Sequence, residues 1–402
     1  MAQSGHGRAN SSPSVLYFDE GMTMTQAWNR RRLLRNSSLL GGSLLMGTIP
    51  FNRHSNAETV RMEVPIVDEV TIREITDNAH DISLQPLAVP GLTVKRTRTP
   101  GAAQGKTLAS EWGLGLHLES RKGQETRRIL HDFGFTSQVY ANNLDLLNID
   151  IATVDALVIS HGHYDHVGGL MGFLEASRSR LRKDLKLYTG GEDNFCARFT
   201  REVDGSFTRF GPPFDRRKLV ALGVQPVLSE APVIVEGHAF TTGAVPRTSL
   251  ERVLPNTWVQ YGIHEGLGCD TKAYRNHHFT ADELAGKSVP DQHWHEQATC
   301  YRVGDRGLVV ITSCGHGGII NTLRRAQEIT GVAKIYALVG GFHLMTASPE
   351  YLASVMSELR KFDLEHVMPM HCSGQNFIDL AKREIPEKLV LCGTGSSYTF
   401  YA

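Results

Sequence analysis

Paired cysteines, an excess of one charge and long apolar runs are all missing from this sequence, and each shortage removes a class of protein. The six cysteines (196, 269, 300, 314, 372, 392) are scattered and form no Cys-x-x-Cys pair. They read as neither a disulfide framework nor a zinc ribbon. Lys+Arg and Asp+Glu are both 42, a formal net charge of zero. A surface built for nucleic-acid phosphates needs a basic excess, so no nucleic-acid partner is expected. No apolar run is long enough to span a bilayer, so no stable membrane insertion is expected. What remains is 402 residues, 41% of them hydrophobic, enough for one large domain or two small ones with a sizeable core. Nothing in the composition sets an oligomeric state.

The N-terminal stretch differs from the rest. Residues 1–29 are polar and mixed, and are expected to form a disordered lead. "NRRRLLRNSSLLGGSLLMGTIPF" (29–51) then sets an arginine cluster before a moderately apolar segment, and Ser55-Asn56-Ala57 suits a small-residue cleavage site. This three-part layout is that of an export signal. Arg30-Arg31 resembles a twin-arginine signal, which implies a folded protein carried to the periplasm. A basic amphipathic or disordered tail is the other reading, and would leave the protein cytoplasmic. Residues 1–57 are therefore set apart from a globular domain expected over 66–402.

Within that domain, "VDEVTIREITD" reads as a strand, 85–107 as a Pro/Gly-rich excursion, and "WGLGLHLES" with "RRILHDFG" as two strands around a Gly-containing turn. "NNLDLLNIDIATV" has helical spacing at Leu144, Leu147 and Ile151. Asp215 is a plausible N-cap for a short helix. Residues 247–296 lack periodicity and are rich in His, Gly and Trp, as expected of a functional insertion. In the last third strand and helix alternate three times, each strand ending in a loop with one histidine: His316, His343 or His371.

"LVISHGHYDHVGGL" (157–170) carries the chemistry. An apolar strand ends in His161, His163, Asp165 and His166. In extended chain His161 and His163 point to one side, while Asp165 and His166 follow where a helix should begin. Two ligand pairs aimed at slightly different points suit two adjacent cations. Imidazole with carboxylate, and no thiolate cluster, suits zinc, iron or manganese in a working site. His316 and His371 arrive at the carboxyl ends of strands, where open α/β sheets gather ligands.

The "HGHYDH" run, with a strand before and a helix after, resembles the metallo-β-lactamase superfamily signature. "LHDFG" (130–134) resembles its first motif, with Asp132 in the acidic position, and "MPMH" (368–371) its last. "SCGHGG" with "GGFHL" narrows the likeness to a branch whose named members are 7,8-dihydropterin-6-methyl-4-(β-D-ribofuranosyl)aminobenzene 5′-phosphate synthases. The resemblance implies an α/β fold, the four-layer αββα metallo-β-lactamase sandwich. It implies two divalent cations, zinc foremost with iron or manganese as alternatives. His161, His163 and His316 would bind the first, and Asp165, His166 and His371 the second. Asp132 would orient a metal-bound imidazole. The sequence departs from the superfamily pattern in two places: "VPRTS" (245–249) lacks a Gly-His-Thr histidine, and Ser313-Cys314 stands near the place of a bridging aspartate. Cys314 reads as a buried inert thiol, with a contribution to the bridge as the alternative.

The expectation is therefore an enzyme, a metal-dependent hydrolase of an ester, phosphoester or lactone, its small-molecule substrate able to be anionic. Asp165 would orient the nucleophile, and His343 would serve as proton donor or phosphate holder, with an extra metal ligand or a structural histidine as the other readings. The runner-up is a transferase displacing diphosphate from hydroxymethyl-dihydropterin diphosphate with an arylamine ribose phosphate. A third reading is a non-catalytic metal-binding module. Arg247 reads either as a contact for an anionic group or as a solvated charge. His277, His278, His293 and His295 read as polar loop residues.

Overall fold

The computed structural model describes residues 61–212, 214–274 and 277–402. The expected lead and export signal lie outside the described residues. Strand alternation builds the architecture. In Gly307–Thr312, Leu308 and Val310 join one apolar cluster while Val309 and Ile311 join another. A strand apolar on both faces must be covered on both.

Seven strands form one sheet in the order Val233–Val235, Ala239–Thr241, Thr299–Val303, Gly307–Thr312, Ile335–Gly341 and Leu364–Met370, with Ile66–Val67 paired to Thr299–Val303. Nine form a second, in the order Gln225–Leu228, Lys186–Thr189, Ala156–Val158, Glu125–His131, Gly115–Lys122, Glu69–Thr76, Ser396–Tyr401, Leu92–Arg96 and Leu87–Val89. Val70, Ile72, Leu116 and Leu118 of the second sheet share one cluster with Val309, Ile311, Val339 and Met368 of the first. Helices Ile319–Thr330, Pro349–Leu359 and Gln375–Glu384 cover the other face of the seven-stranded sheet, through Leu323, Val355 and Phe377. Helices Ser137–Leu146, Leu170–Ser177 and Arg216–Ala221 cover the nine-stranded sheet through Tyr140, Phe173 and Leu219. This is the four-layer αββα sandwich.

The helices follow local chemistry. Ile319–Thr330 buries Ile319, Leu323, Ala326 and Ile329 at helical spacing and stops at Gly331, whose φ of 70° is left-handed. Pro349–Leu359 opens on Ser348, whose hydroxyl accepts from the Tyr351 amide. Asp215 caps Arg216–Ala221 by accepting from the Arg217 amide.

Two local expectations shift. The excursion at 85–107 contains a hairpin, Leu87–Val89 with Leu92–Arg96, turned at Pro90-Gly91 and paired onto Ser396–Tyr401. The helix expected over 142–154 instead spans Ser137–Leu146, because Thr136 caps it earlier, and Asp150 then caps a separate turn, Ile151–Thr153.

The irregular stretches form a structure of their own. Ala197–Arg201, Phe207–Arg209, Trp258–Gln260 and Val289–Pro290 make a four-stranded sheet that joins residues near 200 to the segment 247–296. A disulfide, Cys196–Cys269, ties the same two regions, although the scattered cysteines read as no disulfide framework. Cysteines 73 positions apart announce no pairing in sequence. Closing a loop of that length is worth about 4 kcal/mol in the chain-entropy account. Replacing Cys196 by serine should therefore cost roughly 2–4 kcal/mol, read as a lower Tm. Thiol titration of unfolded, unreduced protein should find only Cys300, Cys314, Cys372 and Cys392. Six reactive thiols would show that the bond does not form. Among the described residues no helix is long and apolar enough to cross a membrane.

Candidate metal centre

The carboxyl ends of strands from both sheets meet at one edge. Glu125–His131 delivers Asp132, Ala156–Val158 the histidine loop, Gly307–Thr312 the segment with Cys314 and His316, Ile335–Gly341 His343, and Leu364–Met370 His371. The loop can pass this edge because Gly162 has no side chain: a Cβ there would lie 2.3 Å from the Asn194 carbonyl oxygen.

The loop donors fall into two groups. His161, His163, His293 and His316 are all buried, and their ring nitrogens lie within 4.8 Å of one another. Asp165, His166 and His371 form an adjoining group at the same spacing. The six expected ligands therefore come together as the expected two sets, and His293 joins the first set. His293 comes from the irregular segment and had been read as a loop residue. Its ring stacks on that of His316 at 3.9 Å and meets that of His163 edge to face at 4.3 Å. His343 lies beside this group, its ring 4.2 Å from that of His316.

Every one of these rings except that of His316 has a partner on its outer side. His166 Nδ1 donates to Asp132 Oδ2 at 2.8 Å. His161 Nδ1 donates to Ser160 Oγ at 2.9 Å, and that hydroxyl donates to Asp132 Oδ2 at 2.7 Å. His163 Nε2 donates to Thr257 Oγ1 at 2.7 Å, and Thr257 donates onward to Asp291, itself paired with the buried Arg198. His293 Nε2 donates to Asn256, His371 Nδ1 to Asn78 and His343 Nε2 to the Pro255 carbonyl. The protons are thereby held on the outward nitrogens. Inward, His161 Nε2, His293 Nδ1, both His316 nitrogens and Asp165 Oδ1 are buried with no hydrogen-bond partner. Buried polar atoms are rarely left so, and neutral imidazole lone pairs beside a carboxylate are the donor set that a divalent cation requires. The residues present fit such an ion.

Asp132 acts as expected, holding two ligand rings directly or through Ser160 rather than joining the donors. Burial raises its carboxyl, but His131, His166 and the surrounding donors outweigh it and hold the pKa at about 2. The His316 segment is fixed by two further carboxylates. Glu296 accepts from the Gly317 amide at 2.8 Å, and Glu251 accepts from the Ile320 and Asn321 amides at the start of the helix that follows. Among the described residues seven non-glycine positions have left-handed φ, and Asp132, His293, His343 and His371 are four of them. Such conformations persist where the surroundings enforce them, often at functional sites.

Other expectations resolve differently. Arg247 is half-buried: it donates to the Gln292 and His293 carbonyls and lies 4.4 Å over the Trp294 ring, holding the segment that presents His293. His277 pairs with Glu283 and His295 with Glu230, and His278 is exposed. Cys314 is not isolated: its Sγ lies 3.2 Å from His166 Nε2 and 3.3 Å from Cys372 Sγ.

Burial, followed by repulsion from neighbouring cationic groups, drives His161, His163, His293 and His316 well below the ordinary histidine range. A histidine that stays neutral in the fold but protonates when unfolded stabilises the fold above its unfolded pKa and loses that contribution as pH falls. The loss begins below about 6.5 and amounts to roughly 1.4 kcal/mol per pH unit for each such ring. Chelator-treated protein should therefore melt at clearly lower temperature at pH 5.5 than at pH 7.5. An unchanged Tm would mean that the rings are not held neutral.

Residues 122–245 match the sequence model of the Metallo-beta-lactamase superfamily. The chain is 24% identical over 278 residues to the 7,8-dihydropterin-6-methyl-4-(beta-D-ribofuranosyl)-aminobenzene-5'-phosphate synthase of Methanocaldococcus jannaschii, covering 69% of this chain and 86% of the relative. It is 26% identical over 252 residues to an uncharacterised protein of the same organism, covering 62% and 80%. Among solved structures it is similar to Tm1679, a metal-dependent hydrolase of the beta-lactamase superfamily, with a TM-score of 0.56, 21% identity and coverage of 82% and 98%. The fold is the metallo-β-lactamase αββα sandwich.

Proposed function

We propose that the chain is a metal-dependent hydrolase that acts with two divalent cations, zinc foremost with iron or manganese as alternatives, on an ester, phosphoester or lactone. The observation that carries this reading is the pair of adjoining donor sets at one sheet edge, in which His161 Nε2, His293 Nδ1, both His316 nitrogens, His371 Nε2 and Asp165 Oδ1 are buried without a partner. His161, His163, His293 and His316 would hold one cation, and Asp165, His166 and His371 the other. Bound cations would supply Lewis acidity and an activated water at neutral pH. Asp165 Oδ1, buried and unpartnered, would accept a hydrogen bond from the nucleophile and so orient it. His343 presents Nδ1 beside His316; as an imidazolium, with Nε2 donating to the Pro255 carbonyl, it would donate from Nδ1 to the leaving group or hold its anionic oxygen. A cavity of about 710 Å³ adjoins the histidine loop at Gly162 and Tyr164 and is lined by Phe195, Phe210, Phe214 and Arg209. It suits a small molecule with an apolar body and an anionic group.

His343→Asn should lower kcat about 10²-fold or more, as loss of a general acid does, with metal content unchanged. Loss of metal in that variant would make His343 a ligand instead.

The 24% identical synthase, of which this chain covers 86%, favours a second reading, a transferase that displaces diphosphate from hydroxymethyl-dihydropterin diphosphate with an arylamine ribose phosphate. The two separate in one assay. Zinc-loaded protein is given that diphosphate with and without the amine, alongside a panel of esters, lactones and phosphodiesters. Amine-dependent diphosphate release selects the transferase, and turnover of the panel alone selects the hydrolase. Export to the periplasm by the twin-arginine-like segment is part of the proposal. The Cys196–Cys269 bond supports it, since disulfides persist in oxidising compartments.

A further inference from the structure

We propose that Cys314 is a metal ligand of this centre, its thiolate bridging the two donor sets. The inference rests on the metal-centre reading above and adds the donor that joins its two halves. Cys314 Sγ lies within 4.8 Å of the ring nitrogens of His161 and His166 as one group, of His316 and His343 as a second, and of His371 with the Cys372 sulfur as a third. It therefore touches the histidine set on one side and the Asp165 set on the other. The backbone puts it there: Gly307–Thr312 ends at the site, and Cys314 and His316 leave the same short turn, two residues apart.

The surroundings point to a ligand rather than to an inert thiol. Cys314 is 2% exposed, yet it does not sit among apolar side chains alone. It faces His161 and His316, each 2% exposed, whose inward nitrogens have no partner. Cys372 is the rival sulfur. Its Sγ is occupied on its own side, accepting from the His343 amide at 3.3 Å and facing the Cys314 carbonyl. It groups with His371 and Cys314 rather than with the four-histidine set. Coordination releases the thiol proton to solvent, and the thiolate takes its place in the metal shell. A soft thiolate among imidazoles also biases the centre towards zinc and away from manganese.

The test uses the full protein, stripped of metal and reloaded with cobalt(II). Wild-type protein should show an intense near-ultraviolet sulfur-to-cobalt charge-transfer band. Cys314→Ser should lose the band while still binding cobalt at the histidine set, and Cys372→Ser should keep it. X-ray absorption of zinc-loaded wild-type protein should show a Zn–S shell at ~2.3 Å, a readout that does not depend on any variant folding. Cobalt or zinc bound without the band or the shell overturns the thiolate and leaves the metal centre standing. A band that survives in Cys314→Ser but vanishes in Cys372→Ser assigns the sulfur to Cys372 and also overturns it. Failure of wild-type protein to bind either metal overturns the centre and the thiolate together.

Discussion

Changing His161 and His163 together to alanine is expected to abolish turnover and strip metal from a protein that remains folded. Both rings belong to the four-histidine set, and each points its unprotonated nitrogen inward. Two of the four histidine donors removed leaves His293 and His316, with only the proposed Cys314 bridge beside them, a set that has lost half its imidazoles. Lewis-acid stabilisation is worth several kcal/mol of barrier, and each 1.36 kcal/mol is tenfold in rate, so kcat/KM should fall at least ~10³-fold. The fold should survive because four clustered neutral imidazoles are a burden without their cation. Metal analysis, circular dichroism and turnover on one preparation decide it. Full turnover by a folded, metal-poor double variant would falsify the site.

Asp132→Ala should do nearly as much damage without touching a ligand. One carboxylate accepts from His166 Nδ1, from the Ser160 amide and from the Ser160 hydroxyl that in turn steadies His161. Its loss frees rings on both sides of the centre. Partners of this kind are worth about 10–100-fold in metal affinity. Each buried donor left without an acceptor costs about 1–3 kcal/mol of stability as well. Asp132→Asn should recover part of the loss, since asparagine tolerates the φ of 54° found here and still offers an oxygen to the Ser160 amide. Competition against a chromophoric chelator gives the affinities. Wild-type affinity in Asp132→Ala would mean that the rings are held by packing alone.

What sequence reading reached here was set by how local each signal is. The histidine loop carries its donors within six positions, so spacing alone pairs them. His316 and His371 were legible because each follows an apolar strand, and strand ends converge in this class of fold. His293 has no such strand before it. It reaches the centre through a left-handed backbone position and an arginine clasp from Arg247, neither of which leaves a periodic trace. Its one outward sign was the density of histidine in an otherwise patternless segment. Cys314 was discounted because the pattern called for a carboxylate, although its place in the chain was correct. The hairpin at Leu87–Arg96 hid behind its proline and glycine, which mark the turn between two strands and not the lack of them.

The position of strand Ser396–Tyr401 has a consequence for how the protein is made. It lies between Glu69–Thr76 and Leu92–Arg96, with Glu69 opposite Tyr401, so the nine-stranded sheet is threaded by residues synthesised more than three hundred positions apart. Ribosomes release the early strands first, at about 5–20 residues per second, and these must wait with an open slot between them. His371, too, emerges only shortly before the slot is filled. The full donor set is thus complete only once His371 has been made, and until Ser396–Tyr401 pairs, the open strand edges on either side of the slot invite pairing with other chains.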